Sequence, residues 1–166
     1  MATRMARLAS HCSAALIACA VVAVASVREG FAAELSRTPF SKFDGRSCPS
    51  ASCSIDFGTV PGGAKRRYEI THVSCMVSIG NANGKLLHWY LGAYQDGNLV
   101  AAIHLRPHHL GLNTLPVATR YSANEQANLV VRGGRQLIVS VQRDSSTAGN
   151  IYGTDCTVSG YDVRLQ

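Results

Sequence analysis

The feature that most constrains the fold is a series of short runs in which apolar and polar residues alternate, each run ending at a turn. In the longest run, residues 67–79, every second residue from Thr71 to Ile79 falls on the more apolar face. A period of two residues is typical of a half-buried strand. Because the runs after residue 54 show no helical period, the sequence predicts an all-β fold with helix content near zero.

Glycine-containing turns separate these runs and predict how they pair. Asp96–Gly97 lies between two apolar runs and predicts a hairpin with a two-residue type I′ turn. The register of that turn would place Trp89 opposite His104, and Gly133–Gly134 predicts a second hairpin. About seven or eight short antiparallel strands with regularly spaced turns indicate a β-sandwich, of which a jelly roll is one form.

The segment Phe57–Arg66 (Phe-Gly-Thr-Val-Pro-Gly-Gly-Ala-Lys-Arg) runs into the long strand that contains Cys75. This strand-turn-strand segment resembles the opening of exported bacterial β-sandwich proteins of uncharacterised function. The resemblance implies the sandwich fold and carries no activity, because it covers no functional site.

Four of the six cysteines follow the N-terminal segment, and an even number in an exported chain predicts two disulfides. Four cysteines allow three pairings. The short spacing of Cys48 and Cys53 favours a local loop, which leaves Cys75 to pair with Cys156 across the fold. A metal site made of these thiols is the alternative, but the chain lacks Cys-x-x-Cys spacing and export disfavours it. The domain is therefore predicted to be stapled by disulfides.

Residues 1–32 are predicted to be a secretory signal. Two arginines precede an apolar run at residues 14–25, which is shorter than the roughly 20 residues of a membrane-spanning helix. Cleavage after Ala32 would leave a short polar stretch behind this run, and cleavage after Ala25 is the alternative. A lipobox-like sequence ending at Cys19 is a third option, but it would leave apolar residues at the start of the mature chain. The predicted location is periplasmic or secreted.

After the signal, residues 33–53 are polar and are predicted to form an irregular arm, followed by the sandwich domain at 54–166. Removal of residues 1–32 takes three of the 16 basic and one of the 10 acidic residues, leaving 13 and 9 and a net charge of +4. The basic cluster Lys65–Arg67 has two interpretations, a solvated strand start or a contact for an anionic polymer or membrane surface. Export argues against nucleic acid as a partner, and no transmembrane segment is expected after signal removal.

Two groups of residues are candidates for ligand binding, the first of them histidines. His104, His108 and His109 fall within six residues and could bind Zn²⁺ or Cu²⁺ if their rings converged. Because His108 and His109 are neighbours after a proline, divergent and exposed side chains are the competing interpretation.

The second group is aromatic, because flat rings stack on the apolar faces of sugars. The sequence predicts Trp89 as the ring that binds the ligand. His104 and Arg106 would lie beside it in the hairpin and hold hydroxyl groups. The competing interpretation is that the single tryptophan lies in the core. The side chains considered for such a platform are Trp89, Tyr90, Tyr94 and Tyr121.

The chain shows no pattern for covalent catalysis: a Gly-x-Ser-x-Gly motif is absent, and the cysteines are expected to be oxidised. No catalytic residue and no cofactor is predicted, and the acidic residues occupy no informative motif. The sequence thus favours an exported, non-enzymatic β-sandwich that acts as a binding or interaction module for carbohydrate or a cell-surface polymer. The alternative is a metal-dependent enzyme or metal-binding protein that uses His104, His108 and His109.

Overall fold

The computed structural model describes residues 34–114, 116–144 and 150–166. The predicted signal and its cleavage positions lie outside these residues. A short 3₁₀ turn at Gly63–Lys65 is the only helical element in the described part of the chain, and no helix there has the length and apolarity needed to cross a membrane. The strands are β1 (Glu34–Cys48), β2 (Ser52–Thr59), β3 (Arg66–Ile79), β4 (Leu86–Gln95), β5 (Asn98–His104), β6 (His108–Thr114), β7 (Val117–Arg132), β8 (Gln136–Arg143) and β9 (Ile151–Leu165).

These strands form two sheets that pack together, so the predicted all-β sandwich is confirmed. The five-stranded sheet has the order β1-β9-β3-β7-β6, and the four-stranded sheet has the order β2-β8-β4-β5. All paired strands are antiparallel. Without the edge strand β6, the order is β1-β9-β3-β7 facing β2-β8-β4-β5, which is the strand order of a jelly roll.

The core lies between the sheets and follows the predicted alternation. β3 buries every second residue from Val73 to Ile79, and β8 buries every second residue from Leu137 to Val141. Thr71 is exposed instead, because a bulge at this residue shifts the register between β3 and β9. The bulge lies in β3, opposite Ser159 and Gly160 of β9.

Both predicted disulfides are confirmed, although their places in the fold differ from expectation. Cys48–Cys53 joins β1 to β2 and so connects the two sheets. Cys75–Cys156 joins directly opposite positions of the neighbouring strands β3 and β9 within one sheet, not across the two sheets. Two such bonds indicate an oxidising, non-cytoplasmic compartment.

The prediction of an irregular arm at residues 33–53 is corrected, because residues 34–48 form the strand β1. This strand pairs with β9 at one edge of the five-stranded sheet. The Phe40 ring lies 4.4 Å from the Tyr68 ring, and Lys42 Nζ donates a hydrogen bond of 2.9 Å to the Phe57 carbonyl. β1 is exposed along most of its length, so its sequence lacks the alternation that marks a half-buried strand.

The hairpin predicted around Gly133–Gly134 is also corrected. The turn is present, but β7 belongs to the five-stranded sheet and β8 to the four-stranded sheet, so it connects the two sheets. Gly133 N donates to the Arg66 carbonyl at 2.7 Å, and Gly134 N donates to the Val60 carbonyl at 2.8 Å. A Cβ at Gly133 would lie 1.9 Å from the Gly63 carbonyl oxygen, so this close approach requires glycine.

Candidate functional site

The β4–β5 hairpin carries the predicted site residues, and its turn forms as predicted. Asp96 and Gly97 have φ values of 52° and 79°, as a type I′ turn requires. Tyr94 pairs with Leu99 in the predicted register, but Val100 is an extra residue that shifts all pairs beyond it.

As a result of this bulge, His104 lies opposite Tyr90 and not opposite Trp89. The predicted pairing of Trp89 with His104 is therefore wrong. The backbone carbonyl of Trp89 instead accepts a hydrogen bond of 2.8 Å from Leu105 N.

Trp89 lies in the core, with 3% of its surface exposed, so its ring has no bare face on which a sugar could stack. Its side chain follows the alternation of β4, in which Trp89, Leu91 and Ala93 point inward. The indole Nε1 has no hydrogen-bond partner among the described residues. The core interpretation of this tryptophan is the one that the structure supports, and the proposed platform on Trp89 is corrected.

A small pocket opens between the start of β4 and the end of β5. Its volume of about 110 Å³ is well below the roughly 300 Å³ at which ligand pockets begin. Arg106 is not among the residues that line it; this exposed residue follows β5, and its backbone N donates to Glu125 Oε1 at 3.2 Å. Trp89, His104 and Arg106 therefore do not assemble as one site. The pocket is lined by Leu86, Leu87, His88, Trp89, His104, Leu105 and Pro107.

The three histidines of the metal alternative are also separated. His108 and His109 are adjacent on β6, so their side chains point to opposite faces of the sheet. The His109 ring packs against Tyr121 at 5.4 Å, and His104 belongs to the other sheet. In the described ranges, no group of three or more His, Cys, Asp or Glu side chains is placed to hold a metal ion.

Two tyrosines form the most distinctive surface feature of the four-stranded sheet. Tyr90 and Tyr94 are half-buried, and their hydroxyl groups lie 2.9 Å apart. They flank Gly92 on the face of β4 that points away from the core. A Cβ at Gly92 would lie 2.6 Å from Leu99 Cδ1, 2.9 Å from Tyr94 Cε2 and 3.3 Å from Tyr90 Cε2, so Leu99 and both rings lean over the glycine. The absence of a side chain there brings the two rings together.

Polar side chains continue this surface on both sides of the tyrosines. His104 is exposed and lies opposite Tyr90, with ring centroids 6.0 Å apart. On β8, Ser140 lies opposite Tyr90, and its hydroxyl is 3.4 Å from that of Ser54. We call this surface the tyrosine face; its members are Ser54, Asp56, Tyr90, Tyr94, His104, Gln136 and Ser140.

The electrostatics of the tyrosine face favour neutral hydrogen-bond donors. Burial raises the pKa of Tyr94 above its ordinary value, and the hydrogen bond with Tyr90 raises it further, against a smaller opposing effect of Ser140. The Tyr94 hydroxyl therefore stays protonated at neutral pH. Asp56 is the single carboxylate in the four strands of this sheet, and its Oδ2 accepts a hydrogen bond of 2.5 Å from Gln136 Nε2.

The sequence contains a signal for this face in the alternation of β4. In the segment Trp89–Tyr94, a period of two places Tyr90, Gly92 and Tyr94 together on one side of the strand and Trp89 on the other. Tyr121, the fourth aromatic candidate, points elsewhere and donates its hydroxyl to the Gly84 carbonyl at 2.7 Å. Only two of the four aromatic candidates thus share an accessible surface.

Comparison of the chain with protein-family models and with curated proteins found no match.

Proposed function

We propose that this protein is an exported, non-enzymatic β-sandwich that binds carbohydrate through the tyrosine face. The observation that carries the proposal is the pair of contacting tyrosines, Tyr90 and Tyr94, on an open sheet surface. Aromatic rings offer apolar faces to the C–H groups of a sugar, and their hydroxyl groups remain available for hydrogen bonds. The two rings together provide a surface longer than a single side chain.

The neighbours of the tyrosines supply complementary polar groups. Ser140 and His104 lie on opposite sides of Tyr90, on the two strands that pair with β4. Hydroxyl and imidazole groups can donate and accept hydrogen bonds, which suits sugar hydroxyls that do the same. An open face with these groups fits a chain-like saccharide better than a small ligand, which would need a deeper pocket.

A binding role is preferred to a hydrolytic one because the strands of this face do not supply a pair of carboxylates. Glycoside hydrolysis ordinarily uses a pair of carboxyl groups that flank the scissile bond. Asp56 is the only carboxylate in the four strands that carry this face, and it is bonded to Gln136. We place the protein in the periplasm or outside the cell, on the basis of the signal-like residues 1–32 and the two disulfides.

Glycan binding by paired tyrosine variants tests the proposal. We expect the purified protein to sediment with at least one of three insoluble glycans: peptidoglycan, chitin or cellulose. The double variant Tyr90→Ala/Tyr94→Ala should lose affinity by about tenfold or more, which corresponds to about 1.4 kcal/mol. Tyr94→Phe should retain most of the affinity, because it keeps the ring and removes only the contact between hydroxyls.

The matched control is Tyr152→Ala, which removes a tyrosine that is 46% exposed on β9, in the other sheet. This variant should bind as the unaltered protein does. Equal losses in the control and in the double variant would refute the tyrosine face, as would the absence of binding to all three glycans. Circular dichroism of each variant distinguishes lost binding from lost folding.

A further inference from the structure

One end of the five-stranded sheet holds a concentration of basic residues that the sequence disperses. The first residues of β1 and β3 and the last residues of β7 and β9 meet there, because these strands are antiparallel. Seven basic and three acidic residues lie at this end, whereas the rest of residues 33–166 has six of each. The net charge of +4 is therefore located at this end. The basic residues of this arginine end are Arg37, Lys65, Arg66, Arg67, Arg132, Arg135 and Arg164.

The strand register places three of these arginines in one row. Arg37 and Arg67 lie on either side of Val163, and Arg132 lies opposite Arg67 on β7. Directly opposite residues project from the same face of a sheet, so the row spans three strand spacings, or about 14 Å. Val163 is fully buried yet lies outside the core cluster, which indicates that the flanking side chains cover it.

Two guanidinium groups of the row are held in place by one carboxylate. Glu69 Oε2 lies 2.9 Å from Arg37 Nη2, and Glu69 Oε1 lies 2.7 Å from Arg67 Nη2. The Arg37 guanidinium also stacks over the Tyr161 ring, with its Cζ 4.1 Å from the ring centroid. Side chains fixed in this way lose less conformational entropy when they bind a further anion.

Arg132, in the row, and Arg164, on the other face of the sheet, each lie opposite another arginine. Arg132 lies opposite Arg67, and Arg164 lies opposite Arg66, although like charges at opposite positions destabilise a sheet. Asp162 pairs with Arg66 and Glu69 with Arg67. Among the described residues, no ion pair involves Arg132 or Arg164, and both are exposed. This end of the sheet is therefore short of negative charge.

We propose that the arginine end binds an anionic polysaccharide, through sulfate, phosphate or carboxylate groups spaced along the sugar chain. Guanidinium groups bind such oxyanions with two parallel hydrogen bonds, and a linear row matches a linear polymer. The site is on a different sheet from the tyrosine face and does not rest on the function proposed for that face.

The composition of the adjacent turns favours a polysaccharide over a membrane surface. The turns at Pro61–Gly63 and Gly133–Gly134 lie next to the arginine end, through hydrogen bonds from Gly133 and Gly134 to the Arg66 and Val60 carbonyls. Neither turn contains an aromatic or large apolar residue that could enter the interface of a bilayer. Attraction to a bilayer would then depend on charge alone, whereas a linear polyanion can also align along the arginine row.

Two variants with the same net charge test this site. Arg37→Gln/Arg132→Gln removes two arginines of the row, and Arg106→Gln/Arg120→Gln removes two from other positions. Binding to dextran sulfate is measured by titration at several salt concentrations, with uncharged dextran and phosphatidylglycerol vesicles as the comparison probes. The first variant should weaken binding to dextran sulfate at least tenfold and lower the salt dependence by roughly two released ions.

The control variant should change the affinity less than about threefold, and uncharged dextran should not bind. Equal weakening in both variants would overturn the site, because binding would then follow overall charge. Stronger binding to the vesicles than to dextran sulfate, or no binding to dextran sulfate at low salt, would overturn the polysaccharide assignment. Arg67→Gln/Arg132→Gln, which leaves β1 unchanged, should weaken binding in the same way, and thermal unfolding confirms that each variant folds.

Discussion

The two sheets of the sandwich differ in their covalent and charged interactions. The five-stranded sheet contains a covalent bond between its inner strands, Cys75–Cys156, and charged groups at one end. The four-stranded sheet has no disulfide between its own described strands, and its inner strand β4 relies on buried side chains such as Trp89 and Leu91. Both sheets share the apolar core between them, and the five-stranded sheet has a covalent bond between its strands in addition.

The outer surfaces of the two sheets also differ in the charge that they present. The five-stranded sheet presents fixed charges at its arginine end, whereas the four-stranded sheet presents the nearly uncharged tyrosine face. The two surfaces therefore suit different ligand chemistries, one dominated by oxyanions and the other by the C–H and hydroxyl groups of sugars. Each half of this comparison can be tested separately.

Removal of the long disulfide should have the largest effect. Cys75→Ala/Cys156→Ala frees a loop with a separation of 81 residues, so chain entropy predicts a loss of about 4 to 5 kcal/mol of unfolding free energy. Cys48→Ala/Cys53→Ala frees a separation of 5 residues and should cost about 2 kcal/mol. Urea denaturation of both variants measures the difference. Equal losses would show that the covalent bond in the five-stranded sheet is not its main constraint.

Truncation of the tryptophan tests the packing of the four-stranded sheet. Trp89→Ala should cost about 3 to 5 kcal/mol, because it leaves a large cavity between the sheets. Leu87→Ala is the matched control on the same strand; Leu87 is 55% exposed, so its loss should be within about 0.5 kcal/mol. Chemical denaturation compares the two. A Trp89→Ala variant as stable as the control would contradict the core position of the indole.

The sequence predicted the parts of this fold that depend on local pattern. Strands such as β3 and β8 alternate with a period of two, and the Asp96–Gly97 turn has the residues that its conformation requires. The edge strand β1 could not be predicted in this way, since it is exposed on both faces for most of its length. The pairing of β8 with β2 and β4 could not be predicted either, because a glycine turn does not specify whether the chain stays in one sheet.

The candidate sites depend on register, which the sequence specifies poorly. One extra residue, Val100, was enough to move His104 from Trp89 to Tyr90. The arginine row joins Arg37, Arg67 and Arg132, which are far apart in the chain and meet only through two strand pairings. Composition revealed only the Lys65–Arg67 cluster. The other basic residues of the arginine end lie beside this cluster in the fold but are distant from it in the sequence.

The smallest expected effect concerns the ion pair at the arginine end. A hydrogen bond from Arg66 lowers the pKa of Asp162 below its ordinary value of 3.8, and Arg164 and Lys42 lower it further. A carboxyl group with a lowered pKa in the folded state stabilises the protein above its unfolded-state pKa, and this contribution disappears as the pH falls through the folded-state value. The contribution of Asp162 should therefore be complete near neutral pH and decline below about pH 5.

Asp162→Asn should remove this contribution and make the stability less dependent on pH between about pH 5 and pH 2. We expect the effect to stay below about 1 kcal/mol, because the Arg66 and Asp162 side chains are 25% and 17% exposed and solvent screens the pair. Arg66→Gln should reduce the same pH dependence, since the pKa of Asp162 would rise toward its ordinary value once its main partner is removed. Urea denaturation across this pH range measures both variants. If Asp162→Asn retained the full acid dependence of the unaltered protein, the ion pair between Arg66 and Asp162 would contribute nothing to the stability of the five-stranded sheet.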